Sequence, residues 1–339
     1  MSGRGAIRVG VAAAIAAALA GCNTVQSMLA PAGEQADRIE WVWRVMLWVC
    51  VPIYVLVLVA LALSLRRGGR ADRAEDPGDR QRDERAIGRG LVGWTALIAL
   101  LLTGLVGASF VADRDLNRAA SAPLKIKVTA RQWWWSVQYL DDDPSKLTTT
   151  ANELHLPLGR DARIELASND VIHSLWIPAL SGKLDLIPGR TNVLVLTPTQ
   201  AGRFRGQCAE FCGLQHAHMA LDVVVEDEAS FAAWRAHQLE PAKAPDSDET
   251  RAGQAVFLGA ACATCHSIAG TTAAARNGPD LTHVASRASI GAGVLPSGRD
   301  ALARWIEDPQ RHKPGVNMPA VPLDARERDQ LAAYLAELR

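Results

Sequence analysis

Residues 207 to 219 read Gln207-Cys208-Ala209-Glu210-Phe211-Cys212-Gly213-Leu214-Gln215-His216-Ala217-His218-Met219, and one more histidine, His173, stands upstream in Asp170-Val171-Ile172-His173-Ser174. Cysteine, histidine and methionine crowded together suit a soft, polarisable metal, and thiolate and imidazole with a weak thioether favour copper in electron transfer. One cysteine, two histidines and a methionine would make a mononuclear blue-copper set. The second cysteine, four residues on, lets two thiolates bridge two coppers, each completed by one histidine. One electron shared over two metals changes bond lengths and solvent little, which suits fast transfer. Two cysteines and two histidines also satisfy a tetrahedral structural zinc. That reading leaves Met219 without a role.

A second constellation is Cys262-Ala263-Thr264-Cys265-His266. This is the attachment signature of c-type haem: both thiols form thioethers with the vinyl groups, and His266 takes the proximal iron position. A thioredoxin-like redox pair shares the cysteine spacing but needs no histidine. The sixth ligand falls to Met318 in Asn317-Met318-Pro319, 318 − 266 = 52 residues on, ahead of its rivals His283 and His312. Methionine with histidine raises the haem potential and leaves no open position on the iron. Gly278-Pro279-Asp280-Leu281 resembles the segment that packs against the proximal histidine in small monohaem cytochromes c. His155 and His237 read as ordinary surface residues, and His218 as exposed or adjoining the ligands.

These side chains need elements to hold them, and 339 residues suffice for two or three domains. Formal charge is zero, so nothing points to nucleic acid or to a polybasic membrane patch. Residues 1–21 carry Arg4 and Arg8, an apolar run from Val9 to Ala20, then Leu19-Ala20-Gly21-Cys22: a signal peptide of lipoprotein type, with Cys22 lipidated. An uncleaved signal-anchor is the other reading. A short outer segment, 22–40, precedes a first transmembrane helix at 41–65, whose 21 uncharged residues from Val45 to Leu65 span a hydrocarbon core of about 30 Å. Pro52 is tolerable there, and Trp41, Trp43 and Trp48 form an interfacial belt. A second span covers 90–112. The loop between, 66–89, carries eight arginines, which places it in the cytoplasm and both flanks outside.

From 120 to 228 short stretches alternate apolar and polar side chains, as at Leu124–Arg131, Leu154–Leu158, Ile164–Leu166, Val193–Leu196 and Leu221–Val225, and predict a small all-β barrel or sandwich. Residues 236–249 read as a polar, proline-bearing linker. Residues 250–339 predict a small all-α domain, with helices over Gly253–Leu258, Arg299–Glu307 and Ala325–Leu338.

Taken in order over 41–226, the two helices, the tryptophan-rich segment Arg131-Gln132-Trp133-Trp134-Trp135, Asp170-Val171-Ile172-His173, Ile187-Pro188-Gly189-Arg190 and the cysteine stretch resemble subunit II of cytochrome c oxidase, the binuclear copper A type. Residues 250–339 resemble a fused class I cytochrome c domain. The resemblance implies a cupredoxin-like Greek-key barrel, with His173, Cys208, Cys212, His216 and Met219 as side-chain copper ligands and Glu210 binding through its carbonyl. It implies that the Glu210 carboxylate faces a magnesium or manganese shared with subunit I. Trp133 takes the position at which electrons arrive from cytochrome c, while Trp134 and Trp135 read as interfacial or core aromatics. One departure stands out: the glutamate that many relatives carry before the second helix, where it helps proton uptake, is Leu91 here, and Glu84 lies too far upstream.

The function so implied is that of subunit II of a haem-copper terminal oxidase in the bacterial inner membrane, with both metal domains on the periplasmic side. Electrons would pass from cytochrome c or another periplasmic donor to haem c, to the copper pair, and on to subunit I. Dioxygen reduction and proton translocation would belong to the complex, which would include subunit III and membrane lipid. The linker predicts a cytochrome domain that moves between donor and copper at a high effective concentration. The same sequence features fit the electron-receiving subunit of a copper-containing nitric oxide reductase, or a membrane-anchored carrier without a catalytic partner. A nitrous oxide reductase shares the copper motif but carries a large further catalytic domain.

Overall fold

The computed structural model describes residues 24–68, 77–116 and 124–339, so the signal segment with Cys22 lies outside the described residues. Two compact units are present, one spanning Asp37–Arg118 and the other made of the chain on either side.

The first unit is a pair of helices, α1 (Glu34–Gly68) and α2 (Pro77–Leu116). Each contains a stretch long and apolar enough to cross a membrane, and neither stretch is buried in the protein. Both run past the uncharged segments seen in the sequence: α2 begins at Pro77, inside the arginine-rich loop. Proline is well placed in the first turn of a helix, where its missing N–H has no partner to lose, and the arginines that follow are good helix formers. Pro52 sits within α1 without ending it.

The second unit holds an all-β domain and a small helical domain. Ten strands form the former: β1 (Leu124–Arg131), β2 (Trp134–Leu140), β3 (Thr148–Ala151), β4 (Glu153–Pro157), β5 (Ala162–Ser168), β6 (His173–Trp176), β7 (Leu184–Leu186), β8 (Asn192–Leu196), β9 (Gly202–Cys208) and β10 (Ala220–Glu226). They make two five-stranded sheets, ordered β3-β2-β1-β5-β8 and β4-β10-β9-β6-β7. Strand alternation sets the core: Ile126, Val128 and Ala130 of β1 point inward with Trp135, Val137 and Tyr139 of β2, Ile164 and Leu166 of β5, and Leu221, Val223 and Val225 of β10. This is the cupredoxin-like barrel that the sequence predicts. Trp135 is wholly buried, and Trp134 is half-buried under the Arg131 guanidinium.

A helix α3 (Glu228–His237), capped by the Asp227 carboxylate, lays Phe231 and Trp234 against Tyr139. It runs into the segment expected to begin the linker. The rest of that segment packs on the helical domain instead of hanging free: the Ala242 N–H donates to the Ala269 carbonyl at 3.0 Å, and Pro241 lies against Gly270.

The helical domain contains α4 (Asp248–Gly259), a two-stranded ribbon of β11 (Ser289–Ile290) and β12 (Leu295–Pro296), then α5 (Arg299–Glu307), the short α6 (Pro309–His312) and α7 (Ala325–Glu337). Helix α4 starts five residues before the apolar pattern, at Asp248, because Ser247 and Thr250 form a capping box. Asp324 and Glu327 do the same for α7. The two helices cross so closely at Gly253 that a Cβ there would overlap the Gln330 carbonyl. The domain lies on the barrel, where the Ala220 N–H donates to the Ala292 carbonyl at 3.1 Å and the Ser289 hydroxyl to Asp222 at 3.0 Å.

Candidate metal and haem centres

The cysteine stretch lies at the end of the barrel where β9 closes on Cys208 and β10 opens after Met219. The loop between is pinned at its base: the Cys208 N–H donates to the Met219 carbonyl at 3.1 Å, and the Ala209 N–H to Ser174 of β6 at 2.9 Å. That second bond brings His173, at the start of β6, beside the cysteines. The sulfurs of Cys208 and Cys212 are 3.7 Å apart. The His173 Nδ1 lies 3.8 Å from the first sulfur, and the His216 Nδ1 lies 3.6 Å from the second. The Glu210 carbonyl oxygen is 3.2 Å from the Cys208 sulfur, with its carboxylate side chain exposed. Met219, Cys208 and Cys212 are buried.

The donor set is shaped for cations. The neighbouring Cys212 thiol, more than any other group, holds the Cys208 thiol well below the ordinary thiol range. The same contact, with burial, holds Cys212 far above the ordinary thiol range. One proton leaves readily and the second stays unless positive charge arrives to replace it, as expected of a site that binds soft metal through both sulfurs. The imidazole is aimed as well: its Nε2 lies 2.8 Å from the Asp170 carboxylate and its Nδ1 faces the Cys208 sulfur, and although burial would lower its pKa, Cys208 and Asp170 together raise it. Asp170 also accepts from the N–H groups of Gln132 and Val171, each at 2.7 Å. The sequence motif gives Asp170 no role by itself; a carboxylate three residues before a candidate ligand histidine is the available signal. The Trp133 indole donates to the Cys212 carbonyl at 2.9 Å, and Gln132 donates to the same oxygen at 2.7 Å.

In the helical domain, Cys262 and Cys265 flank a 3-10 turn, and the His266 N–H donates to the Cys262 carbonyl at 3.0 Å. The His266 side chain donates from Nδ1 to the Pro279 carbonyl at 2.7 Å. Burial pushes the imidazole below its ordinary pKa, so it stays neutral with the Nε2 lone pair free for iron. Gly278 lies directly against the ring, where a Cβ would come within 2.7 Å of it. The Gly278-Pro279 expectation therefore holds. Met318 is kept in its loop by Gln310, which donates to the Met318 and Val316 carbonyls, while the Trp305 indole donates to the Met318 sulfur at 3.3 Å.

Two expectations about other histidines change, those for His155 and His237. His283 is buried, with its ring nitrogens against the carbonyls of Arg339 and Glu240, which commits it elsewhere than the haem iron. His155 is not an ordinary surface residue: it stacks on Trp234 at 4.0 Å and pairs with Glu226 at 2.8 Å and Glu153 at 3.8 Å. His237 lies against the His283 ring at 4.5 Å. His218 is exposed and pairs with Gln215, and His312 is half-buried in α6.

A cupredoxin-like barrel with paired cysteines, two helices of membrane-spanning character and a cytochrome c fold define a class: membrane-anchored electron-transfer proteins. Residues 140–227 match the family described as cytochrome c oxidase subunit II, periplasmic domain, and residues 250–339 match the cytochrome c family. The chain is 31% identical to cytochrome c oxidase subunit 2 of Alkalihalophilus pseudofirmus, over 95% of this chain and 94% of that one. It is 28% identical to the Bacillus subtilis protein of the same name, again over 95% and 94%. Among solved structures, the periplasmic domain of subunit II of the Bradyrhizobium japonicum oxidase is similar to 35% of this chain and 94% of its own, at 32% identity and a TM-score of 0.33. The chain belongs to the cytochrome c oxidase subunit 2 family. A subunit II domain implies copper, and a cytochrome c domain implies haem.

Proposed function

We propose that this chain is the electron-receiving subunit of a haem-copper terminal oxidase and carries haem c and a binuclear copper centre on the periplasmic side of a bacterial inner membrane. Cys262 and Cys265 would hold the haem, with His266 and Met318 on its iron. His173, Cys208, the Glu210 carbonyl, Cys212, His216 and Met219 would hold two copper ions, and the Glu210 carboxylate would face magnesium or manganese at subunit I. When bound, these groups supply one-electron carriers that exchange neither protons nor ligands.

The residues do the rest. Asp170 fixes the tautomer and aim of His173, and the buried Cys208 and Met219 keep water from the metal edge. Gln132 and Trp133 together hold the Cys212 carbonyl, so the loop has little freedom to rearrange when charge changes. A rigid, dry donor set keeps reorganisation small, which is what a carrier needs. Subunit I would reduce dioxygen to water with proton translocation, in a complex that includes subunit III, and Cys22 would anchor the mature N-terminus to lipid. With Leu91 at the start of the second span, proton uptake would rely on subunit I.

The observation that carries this reading is the pair of sulfurs 3.7 Å apart, each with its own histidine nitrogen beside it. A single blue copper needs only one cysteine, and a single zinc would gather all four donors, whereas those within 4.8 Å of one another are His173, Cys208 and Cys212 without His216. The test is oxygen uptake by the membrane complex with Cys208→Ser. The expected result is loss of uptake while the donor still reduces haem c. Undiminished uptake would overturn the proposal.

A further inference from the structure

Lys313 is 2% exposed, in the loop between α6 and Met318. Lysine is almost never buried so fully unless acceptors are placed for its amine. Its two acceptors are main-chain carbonyls on opposite sides of a domain boundary: Gly291 of its own helical domain at 2.8 Å, and Trp133 of the barrel at 2.7 Å. The residues that follow continue the contact. Gln215 of the cysteine loop donates to the Pro314 carbonyl at 2.7 Å. A Cβ on Gly315, whose φ is +88°, would stand 3.3 Å from Leu214 and 3.4 Å from the Trp133 ring. Val316 packs on the barrel core. Trp133 is thereby left 7% exposed.

We propose that Lys313 is a positioning residue that seats the cytochrome domain on Trp133, making that indole the docking site of the chain's own haem-bearing domain instead of a surface open to a separate donor. The inference rests on the reading of Met318 as haem ligand and of Trp133 as the electron-receiving tryptophan. Only Val316 and Asn317 separate Met318 from Gly315, where an added Cβ would meet the indole, and the indole N–H ends on the Cys212 carbonyl. Chain, ring and hydrogen bond thus join the two centres, and an external donor would have to deliver its electron to the haem. The docked arrangement is then the transferring one, which revises the expectation of a cytochrome domain that must swing on its linker to reach copper.

The test uses the complete oxidase complex, with an electron injected into the haem by a flash-activated ruthenium photoreductant and haem reoxidation followed in time. Burial lowers the Lys313 pKa to about 7, so each of its two hydrogen bonds is counted as that of a neutral donor, a factor of about two to ten. Lys313→Met should therefore slow haem-to-copper transfer about tenfold or more, with both optical spectra and both midpoint potentials unchanged. Asp222→Cys with Ser289→Cys, positions whose side chains already meet at 3.0 Å, would lock the same interface by a disulfide elsewhere. The lock should preserve the wild-type rate, and should restore that rate when added to Lys313→Met. An unchanged rate in Lys313→Met, a lock that slows the wild type tenfold, or a lock that fails to rescue Lys313→Met would each overturn the assignment. Should Lys313→Met fail to assemble alone, the locked Lys313→Met chain decides. Absence of haem-to-copper transfer in the wild type would instead refute the functional reading beneath it.

Discussion

Gly278→Ala should damage the haem side of the molecule although it adds one methyl group to a loop. Gly278 is not held at a positive φ, so alanine fits its backbone, and removing unfolded-state freedom would by itself stabilise the protein by about 0.4–1 kcal/mol. Against this, the new Cβ would stand 2.7 Å from His266 Cε1, 2.9 Å from Nδ1 and 3.1 Å from Nε2. Ordinary contact begins at 3.4 Å, so the ring must retreat by 3.4 − 2.7 = 0.7 Å. The ring cannot retreat freely, because its Nδ1–H is bonded to the Pro279 carbonyl at 2.7 Å. Overpacking of this kind costs about 1–3 kcal/mol, and a weakened hydrogen bond adds about 1 kcal/mol. The clash therefore outweighs the entropic gain by about 1–3 kcal/mol. For a domain of this size that lowers the melting temperature by about 4–8 °C per kcal/mol. Thermal unfolding followed by haem absorbance, with a redox titration of the haem, measures it: a lower melting temperature and a shifted midpoint potential are expected. A variant as stable as the wild type with an unchanged potential would refute the placement of Gly278 against the proximal ring.

Further outcomes follow from other contacts. Burial would raise the Glu153 carboxyl, but His155 and Arg287 together hold it below the ordinary carboxylate range. Such a group gives stability that is present above its unfolded pKa and lost as pH falls through its folded one, so acid below about pH 4 should destabilise the barrel and Glu153→Gln should flatten that loss; melting temperature against pH, with an unchanged acid slope in the variant, would count against it. Gly253→Ala should destabilise the cytochrome domain by up to about 2 kcal/mol, because overlap with the Gln330 backbone, at about 1–3 kcal/mol, outweighs a helix-propensity gain of about 1 kcal/mol; a more stable variant in thermal unfolding would contradict the helix crossing. Gln310→Ala removes bonds to Val316, Met318 and Gly315 and should loosen the methionine loop by about 1–3 kcal/mol. With Met318 ligating as proposed, loss of the methionine-ligated haem spectrum at lower temperature than in the wild type is the readout.

Much of the chemistry was legible because it is local. The haem signature sits within five consecutive residues, and both cysteines of the copper motif lie within one loop, so spacing alone put them together. Strand β1 was legible from its alternation of buried and open side chains. Strand β2 was not, since three consecutive tryptophans at 133–135 hide the period: only the structure sends Trp135 inward and Trp133 to the cysteine loop. His155 looked ordinary because its partners Glu226 and Trp234 are 71 and 79 residues away. Lys313 gave no signal at all. Its acceptor on the barrel lies 180 residues upstream and is a main-chain carbonyl, which no side-chain pattern records. The linker reading failed in part for the same reason: proline and charge predict exposure, but they do not say that Ala242 will find the Ala269 carbonyl.

The most direct test of the account is metal content and paramagnetic resonance on the complete chain, matured with haem and loaded with copper. Two coppers per haem, with hyperfine splitting shared equally by two copper nuclei beside a low-spin c-type haem, is the predicted result. One copper with the splitting of a single nucleus, or zinc in its place, would contradict the paired-sulfur centre on which the functional reading stands.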